Sequence, residues 1–277
     1  MKQLHGKVAV ITGAGSGIGQ ELAFGLAREG CLLALADLNA QGLEETVRRL
    51  TQCGARASSH LVDVSRCDQV YAFAREVVET YGAVHLVINN AGVGLSETIE
   101  DMKYEDFEWV MNINFWGIVY CTKAFLPHLK KQPQAQLVNV SSILGLVAVA
   151  AQSAYTAAKF AVRGFTEALR QEMRGSSVRV TCAYPGGTRT NIARSARFYK
   201  SMDGHTTREE SVRRFEKRAP TSPEHAARVI IKGIKKDRRR ILVGTDTRFM
   251  DVLQRLLPSF YDGILNLTVT LARLMRL

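Results

Sequence analysis

The chain of 277 residues is long enough for one large α/β domain and short for two. Hydrophobic residues make up 46% and charged residues 23%, an ordinary globular balance, and no apolar run approaches the roughly 20 residues of a membrane span. Basic residues outnumber acidic ones 37 to 26, and the excess is concentrated in residues 191–277, where the count is 19 against 9.

In chain order, "MKQLHGKVAVITG" leads almost directly into a β-branched strand at 7–12, which argues against a secretory leader. "TGAGSGIG" (12–19) follows and opens an amphipathic stretch at 18–29. Glycines there let the backbone turn tightly and approach a pyrophosphate, and the helix that follows offers unpaired N–H groups. "CLLALAD" (31–37) reads as the second strand and ends on Asp37, 18 residues beyond Gly19. A carboxylate at that place accepts hydrogen bonds from a ribose and repels a 2′-phosphate. No basic residue occupies 36, 38 or 39, and Ser16 rather than Arg sits in the glycine turn, so NAD(H) is expected over NADP(H). Asp37 would also serve as a simple helix N-cap.

Further strands are expected at 84–89, 136–141, 178–184 and 240–244, with a weaker one at 56–64. Helical patterns cover 41–52, 67–81, 106–130 and 155–174 between them. Most of these strands lack polar alternation, as expected when helices cover both faces of a parallel sheet. The reading is a doubly wound, Rossmann-like α/β sheet of seven strands in a single domain over 1–277. The polar connection 190–222 is long enough to be a substrate lid. Residues 245–277 form a C-terminal helical extension, in which Ile264, Leu267, Leu271, Leu274 and Met275 make an apolar stripe opposite Asn266, Thr270 and Arg273. The basic last third suits an anionic membrane surface, met peripherally, an acidic substrate or a nucleic acid, or is a solvated face. It carries no helix-turn-helix, zinc or aromatic-platform signature, so nucleic acid is not expected. Five scattered cysteines without C-x-x-C suit a reduced, cytoplasmic setting, and six dispersed histidines suggest no metal site.

From the glycine turn onward the chain resembles the short-chain dehydrogenase/reductase family. The spacing T-G-x-x-x-G-x-G, with Gly13, Ser16, Gly17, Ile18 and Gly19, is that family's version of the loop. "DV" (Asp63, Val64), "NNAG" (89–92, with Asn90, Ala91 and Gly92) and Asn114 in "MNINFWG" follow in the family's order. So do "NVSSILG" (139–145), "YTAAK" (155–159) and "YPGGTRT" (184–190, with Pro185, Gly186, Thr188 and Thr190). The resemblance spans roughly residues 6–244 and implies NAD(H) bound along the glycine turn, Asp37, Asp63, Val64, Asn90–Gly92, Tyr155, Lys159 and Pro185–Thr190.

It also implies catalysis by Asn114, Ser142, Tyr155 and Lys159. Family spacing selects Ser142 over Ser141, 13 positions before the tyrosine. Tyr155 would move a proton, its pKa lowered by the Lys159 ammonium on the order of 1–3 units, while Ser142 holds the substrate oxygen and Asn114 anchors a water. The chain departs from the family at Thr188, where many members have Val or Ile, and in the 33 residues after Gly244. Those residues could cover a subunit interface, leaving a homodimer rather than a homotetramer, deepen the substrate pocket, or lie on a membrane. Val93, Leu95, Ile143, Leu144, Val147, Ala148, Val149, Ile192, Phe198 and Tyr199 are expected at the pocket mouth, suiting a lipid-, steroid- or retinoid-like alcohol or ketone. Arg194 and Arg197 could instead clamp a carboxylate. The rival reading is a non-catalytic dinucleotide sensor.

Overall fold

The computed structural model describes residues 1–200 and 206–263. Its strands are β1 (Val8–Thr12), β2 (Leu32–Asp37), β3 (Ala57–Leu61), β4 (Leu86–Asn89), β5 (Leu95–Ser96), β6 (Ala135–Val140), β7 (Val178–Pro185), β8 (Arg197–Phe198) and β9 (Arg240–Val243). Seven of them form one sheet in the order β3-β2-β1-β4-β6-β7-β9, and β5 with β8 makes a separate two-stranded ribbon. Every neighbouring pair in the large sheet is parallel. This is the seven-stranded, Rossmann-like architecture that the strand–helix alternation predicts.

The helices are α1 (Gly17–Arg28), α2 (Ala40–Gln52), α3 (Cys67–Tyr81), α4 (Tyr104–Met111), α5 (Gly117–Lys130), α6 (Ser153–Glu172), α7 (Ile192–Ser195), α8 (Arg208–Arg218), α9 (Pro223–Lys235) and α10 (Thr245–Leu256). Successive strand residues point to opposite faces, and the core divides accordingly. Ala9 and Ile11 of β1 join Leu22, Leu26, Leu43, Ile230 and Ile234, placing α1, α2 and α9 on one face. Val8 and Val10 join Phe73, Val77, Phe125, Leu129 and Leu169, placing α3, α5 and α6 on the other. Both faces of the strand are thereby removed from water, which is why "VAVIT" carries no polar alternation.

One expectation is corrected. The helix expected over 106–130 is two helices, joined by a π-helical turn at Asn112–Trp116. A π-turn fits one extra residue into the helix and is frequent at functional sites. Gly117 follows it where the helix passes so close to Val64 that an added Cβ would lie 2.9 Å from Val64 Cγ2. The connection 190–222, expected as a substrate lid, holds α7, β8 and α8 over its described part, the last started by a Thr207/Glu210 capping box.

That segment is also latched. β8 pairs with β5, and Arg197 donates to the buried carboxylate of Asp106 at 2.6 Å while stacking 3.9 Å above Trp109. Lys200 pairs with Asp101 at 2.8 Å. The predicted stripe from Ile264 to Met275 lies outside the described residues, whereas α10 itself turns Phe249, Val252 and Leu256 outward, with Phe260 beyond it also exposed. Among the described residues no helix is long and apolar enough to cross a membrane.

Candidate active site

An open α/β sheet binds ligands beyond the carboxyl ends of its strands, where the strand order reverses. Here that point lies between β1 and β4. Gly13 and Gly17, at the turn after β1, have φ of +68° and +56°, a region that favours glycine. A Cβ on Gly13 would lie 2.8 Å from Ala91 Cα, and one on Gly19 would run into the Gly13 carbonyl. Thr12 Oγ1 accepts from the Asn90 and Ala91 N–H groups at 3.1 Å each, and Asn90 Nδ2 donates to the Thr12 and Gly13 carbonyls. The result is a side-chain-free cradle at the N-terminus of α1, where the Ser16 hydroxyl makes no capping bond and Gly17, Ile18 and Gly19 form the first turn. Such a cradle fits a pyrophosphate.

Asp37 stands beside it. Its Oδ2 accepts from Gly15 N–H at 2.7 Å and its Oδ1 from Asn39 N–H at 2.9 Å. Each carboxylate oxygen keeps a second lone pair for a ribose hydroxyl. Asp63 Oδ1 accepts from the Ser65 N–H and hydroxyl, and Val64 is buried next to it. Leu38, exposed beside Asp37, gives an apolar surface for a base that the sequence reading passed over.

The catalytic candidates converge at the ends of β6 and α6. Asn89 donates to Asn139 at 2.8 Å and Asn139 to Thr166 at 2.9 Å, tying β4, β6 and α6 together beneath the site. The two adjacent serines then divide. Ser141 Oγ donates to the Lys159 carbonyl at 2.8 Å, inside α6, while Ser142 faces Tyr155 and its Oγ accepts from Leu144 N–H. Lys159 is 3% exposed, its Nζ donates to the Val140 carbonyl at 3.2 Å, and it lies 5.5 Å from the Tyr155 ring centre. Asn114, fully buried in the π-turn, accepts from Val93 N–H at 2.8 Å and donates to the Val93 carbonyl at 2.9 Å. Its side chain therefore fixes the strand-end loop containing Gly92, whose added Cβ would strike Asn114 Oδ1.

In the chain alone, burial dominates the electrostatics of the pair. Burial raises the Tyr155 phenol above its ordinary range, with the Ser142 hydrogen bond opposing, and no lowering by Lys159 enters. Burial pushes Lys159 down to about 8. Desolvation disfavours the charged form of both groups, and it outweighs their mutual influence. The sign of the stability effect follows. Below pH 8 the lysine is charged whether the chain is folded or not. Between about pH 8 and 10.5 the unfolded chain holds a proton that the folded chain has released, so stability rises with pH, by about 3 kcal/mol in total. Denaturant midpoints measured from pH 7 to 10.5 are expected to show this rise in the wild type relative to Lys159→Met.

After β7 the chain turns through Pro185–Thr190. Gly186 N–H donates to the Val243 carbonyl, and Gly187 and Arg189 exchange backbone hydrogen bonds with Thr221. Among the described contacts the Thr188 N–H, buried with its residue, has no partner. Thr190 leans over the glycine turn, its Cγ2 3.2 Å from where a Gly17 Cβ would be. Asp246, which the sequence reading missed, accepts from Gly187 N–H at 2.7 Å. At the mouth, Leu95 and Val147 are buried, Val93, Ile143, Leu144, Val149, Ile192 and Phe198 half-buried, and Ala148 and Tyr199 exposed. Ala148 N–H donates to Tyr261 Oη at 3.3 Å, bringing the extension alongside this loop. Arg194 is paired with Glu216 at 2.7 Å and Arg197 with Asp106, so neither presents a free charge. A separate groove of about 520 Å³ lies between α1 and α9, lined by Glu21, Arg28, Arg228 and Lys232, away from these strand ends.

The sequence model of the family described as short chain dehydrogenase matches residues 7–199. SadH of Mycobacterium tuberculosis, named only as an oxidoreductase, is 46% identical over 266 residues, covering 95% of each chain. Mouse estradiol 17-beta-dehydrogenase 11 is 30% identical over 96% of this chain and 84% of its own length. The crystal structure of a short chain dehydrogenase/reductase from Burkholderia phymatum in complex with NAD superimposes with a TM-score of 0.86 at 30% identity, over 92% of this chain and 95% of that one. Cradle, strand order and alignment along nearly the whole sequence agree, and this protein belongs to the short-chain dehydrogenase/reductase family of oxidoreductases.

Proposed function

We propose that this protein is an NAD-dependent oxidoreductase interconverting an apolar secondary alcohol and its ketone, of lipid, steroid or retinoid type. The observation that carries the reading is Ser142, Tyr155 and Lys159 meeting at the ends of β6 and α6, beside the glycine cradle. The dinucleotide supplies the hydride acceptor or donor. Ser142 holds the substrate oxygen by hydrogen bond, and the Tyr155 hydroxyl takes or returns its proton. Lys159, fixed on the Val140 carbonyl, places positive charge beside the phenol when protonated. Asp37 favours the unphosphorylated ribose.

An apolar substrate is supported by the lining of the mouth and by the pairing of both Arg194 and Arg197 with acids. A reducing, cytoplasmic setting is supported by five cysteines that are all free. A homo-oligomer is supported by the outward face of α5 and α6, where Trp116 stacks on Tyr120 and Phe160 is exposed. Mass measurement in solution tests that point. For the activity, nicotinamide absorbance is followed with NAD or NADP across alcohols and ketones of rising apolar size. NADH formation that improves with substrate bulk is the expected result. Turnover confined to small charged substrates would overturn the apolar reading, and turnover with NADP alone the cofactor preference.

A further inference from the structure

The turn Pro185–Thr190 borders the region between the glycine cradle, which it touches through Thr190 and Gly17, and the Ser142–Tyr155 pair at the neighbouring strand end. Hydride transfer requires the nicotinamide next to that pair, with the phosphates on the cradle. The turn therefore forms one side of the nicotinamide subsite, and what holds the turn bears on the ring. Backbone bonds to Val243 and Thr221 hold two of its edges. Arg189 adds a side-chain bond to the Ala219 carbonyl, and a carboxylate supports the middle of the turn.

Asp246, in the first turn of α10, lies directly behind the turn. Its Oδ2 accepts from Gly187 N–H at 2.7 Å. Its Oδ1 is buried and has no hydrogen-bond partner among the described residues. The carboxylate fits only because both surrounding residues lack a Cβ. An added Cβ on Gly186 or on Gly244, which has φ of +97°, would run into its oxygens. A buried carboxylate oxygen without a partner is unfavourable by itself. The sterically simpler arrangement, a small neutral residue supporting an ordinary turn, is not the one present. Cationic side chains nearby do not account for it either, since Arg240 is bound to Asp251 and no ion pair is formed by Asp246 among the described residues.

The geometry points to Asp246 as a positioning residue that does two things: it fixes the Gly186–Thr188 turn, and it sets a negative charge behind the nicotinamide subsite that favours the oxidised, cationic ring over the reduced, neutral one. This inference rests on the dinucleotide reading above. A fixed charge in a poorly hydrated place acts across several ångströms with little screening, so it biases the two redox forms of one ligand while every other contact to them stays the same. The bias loads free enzyme with NAD in preference to NADH, and because bound NAD is stabilised against bound NADH it draws the on-enzyme equilibrium toward the alcohol and NAD.

The test is binding, not turnover. NAD and NADH affinities are measured by calorimetry and by protein fluorescence for wild type, Asp246→Asn, Asp246→Glu and Asp246→Ala, with thermal unfolding of each variant. Asp246→Asn keeps an acceptor for Gly187 N–H and removes the charge. Its ratio of Kd for NAD to Kd for NADH is expected to rise about tenfold, with NADH affinity little changed. Asp246→Glu is expected to keep a ratio close to wild type, and Asp246→Ala to weaken both forms by freeing the turn. An unchanged ratio in Asp246→Asn, in a protein that binds both nucleotides, would overturn the inference and leave the dinucleotide reading intact. Wild-type protein that binds neither nucleotide would overturn both.

Discussion

Tyr155→Phe is expected to lower turnover by on the order of 10²–10⁴-fold while leaving dinucleotide affinity unchanged. The substitution removes one hydroxyl and keeps the ring, which packs with Ala154, Ala158 and Phe115 in a small cluster above the sheet, so the fold is not disturbed. What is lost is the hydroxyl that Ser142 faces. With the phenol raised by burial, the proton stays on Tyr155 at neutral pH in the chain alone, a state suited to donating to a carbonyl. In the oxidative direction the phenol must lose it, so the rate is expected to climb with pH. Steady-state kinetics from pH 6 to 10 with a fluorescence titration of cofactor check both statements. Retention of a tenth or more of wild-type turnover in Tyr155→Phe would sink the proton-transfer role.

The second large effect is expected at Asp37. Asp37→Asn should raise the relative use of NADP over NAD by roughly 10²-fold, because a carboxylate set against a 2′-phosphate is a like-charge contact of several kcal/mol. The carboxylate cannot swing away without releasing Gly15 and Asn39, whose N–H groups it holds. For the same reason Asp37→Ala should also weaken NAD, through a looser glycine turn. The kcat/KM values for the two cofactors, measured at one saturating substrate concentration, decide the matter. An unaltered ratio in Asp37→Asn would mean that the ribose is read elsewhere.

How far the sequence carries can be judged from individual segments. β1 was legible because "KVAVIT" is apolar on both faces and is punctuated at once by glycine; the strand lies at Val8–Thr12. β3 was the weaker expectation because "ASSHL" is half polar, and it proves to be the edge strand, where one side of the backbone faces no partner strand. The π-turn at Asn112–Trp116 leaves no mark in hydrophobic spacing, since helical periodicity continues on either side of it. Strand alternation says that Ser141 and Ser142 face opposite ways but not which faces the tyrosine; the Lys159 carbonyl settles that by taking Ser141. The raised phenol of Tyr155 could not be foreseen from its lysine neighbour, because burial is a property of the packed helix and not of the i, i+4 spacing. Asp246 was missed for a related reason. It stands 59 residues from the glycine it supports, and only the pairing of β9 with β7 brings the two together.

That pairing also sets an order of assembly for the newborn chain. A ribosome that has released the first half of the sequence has delivered β1 through β4, the cradle and Asp37, which are enough for the adenosine and phosphate end of the subsite to take shape. The far end waits. β9 and α10 bring the Val243 carbonyl and Asp246 to the turn after β7, so that turn lacks these two supports until both elements have been made. Domains form from the N-terminal side as they emerge, and parallel pairings between distant segments come late. A chain stalled or clipped before β9 is therefore expected to grip adenosine nucleotides without being able to seat a nicotinamide.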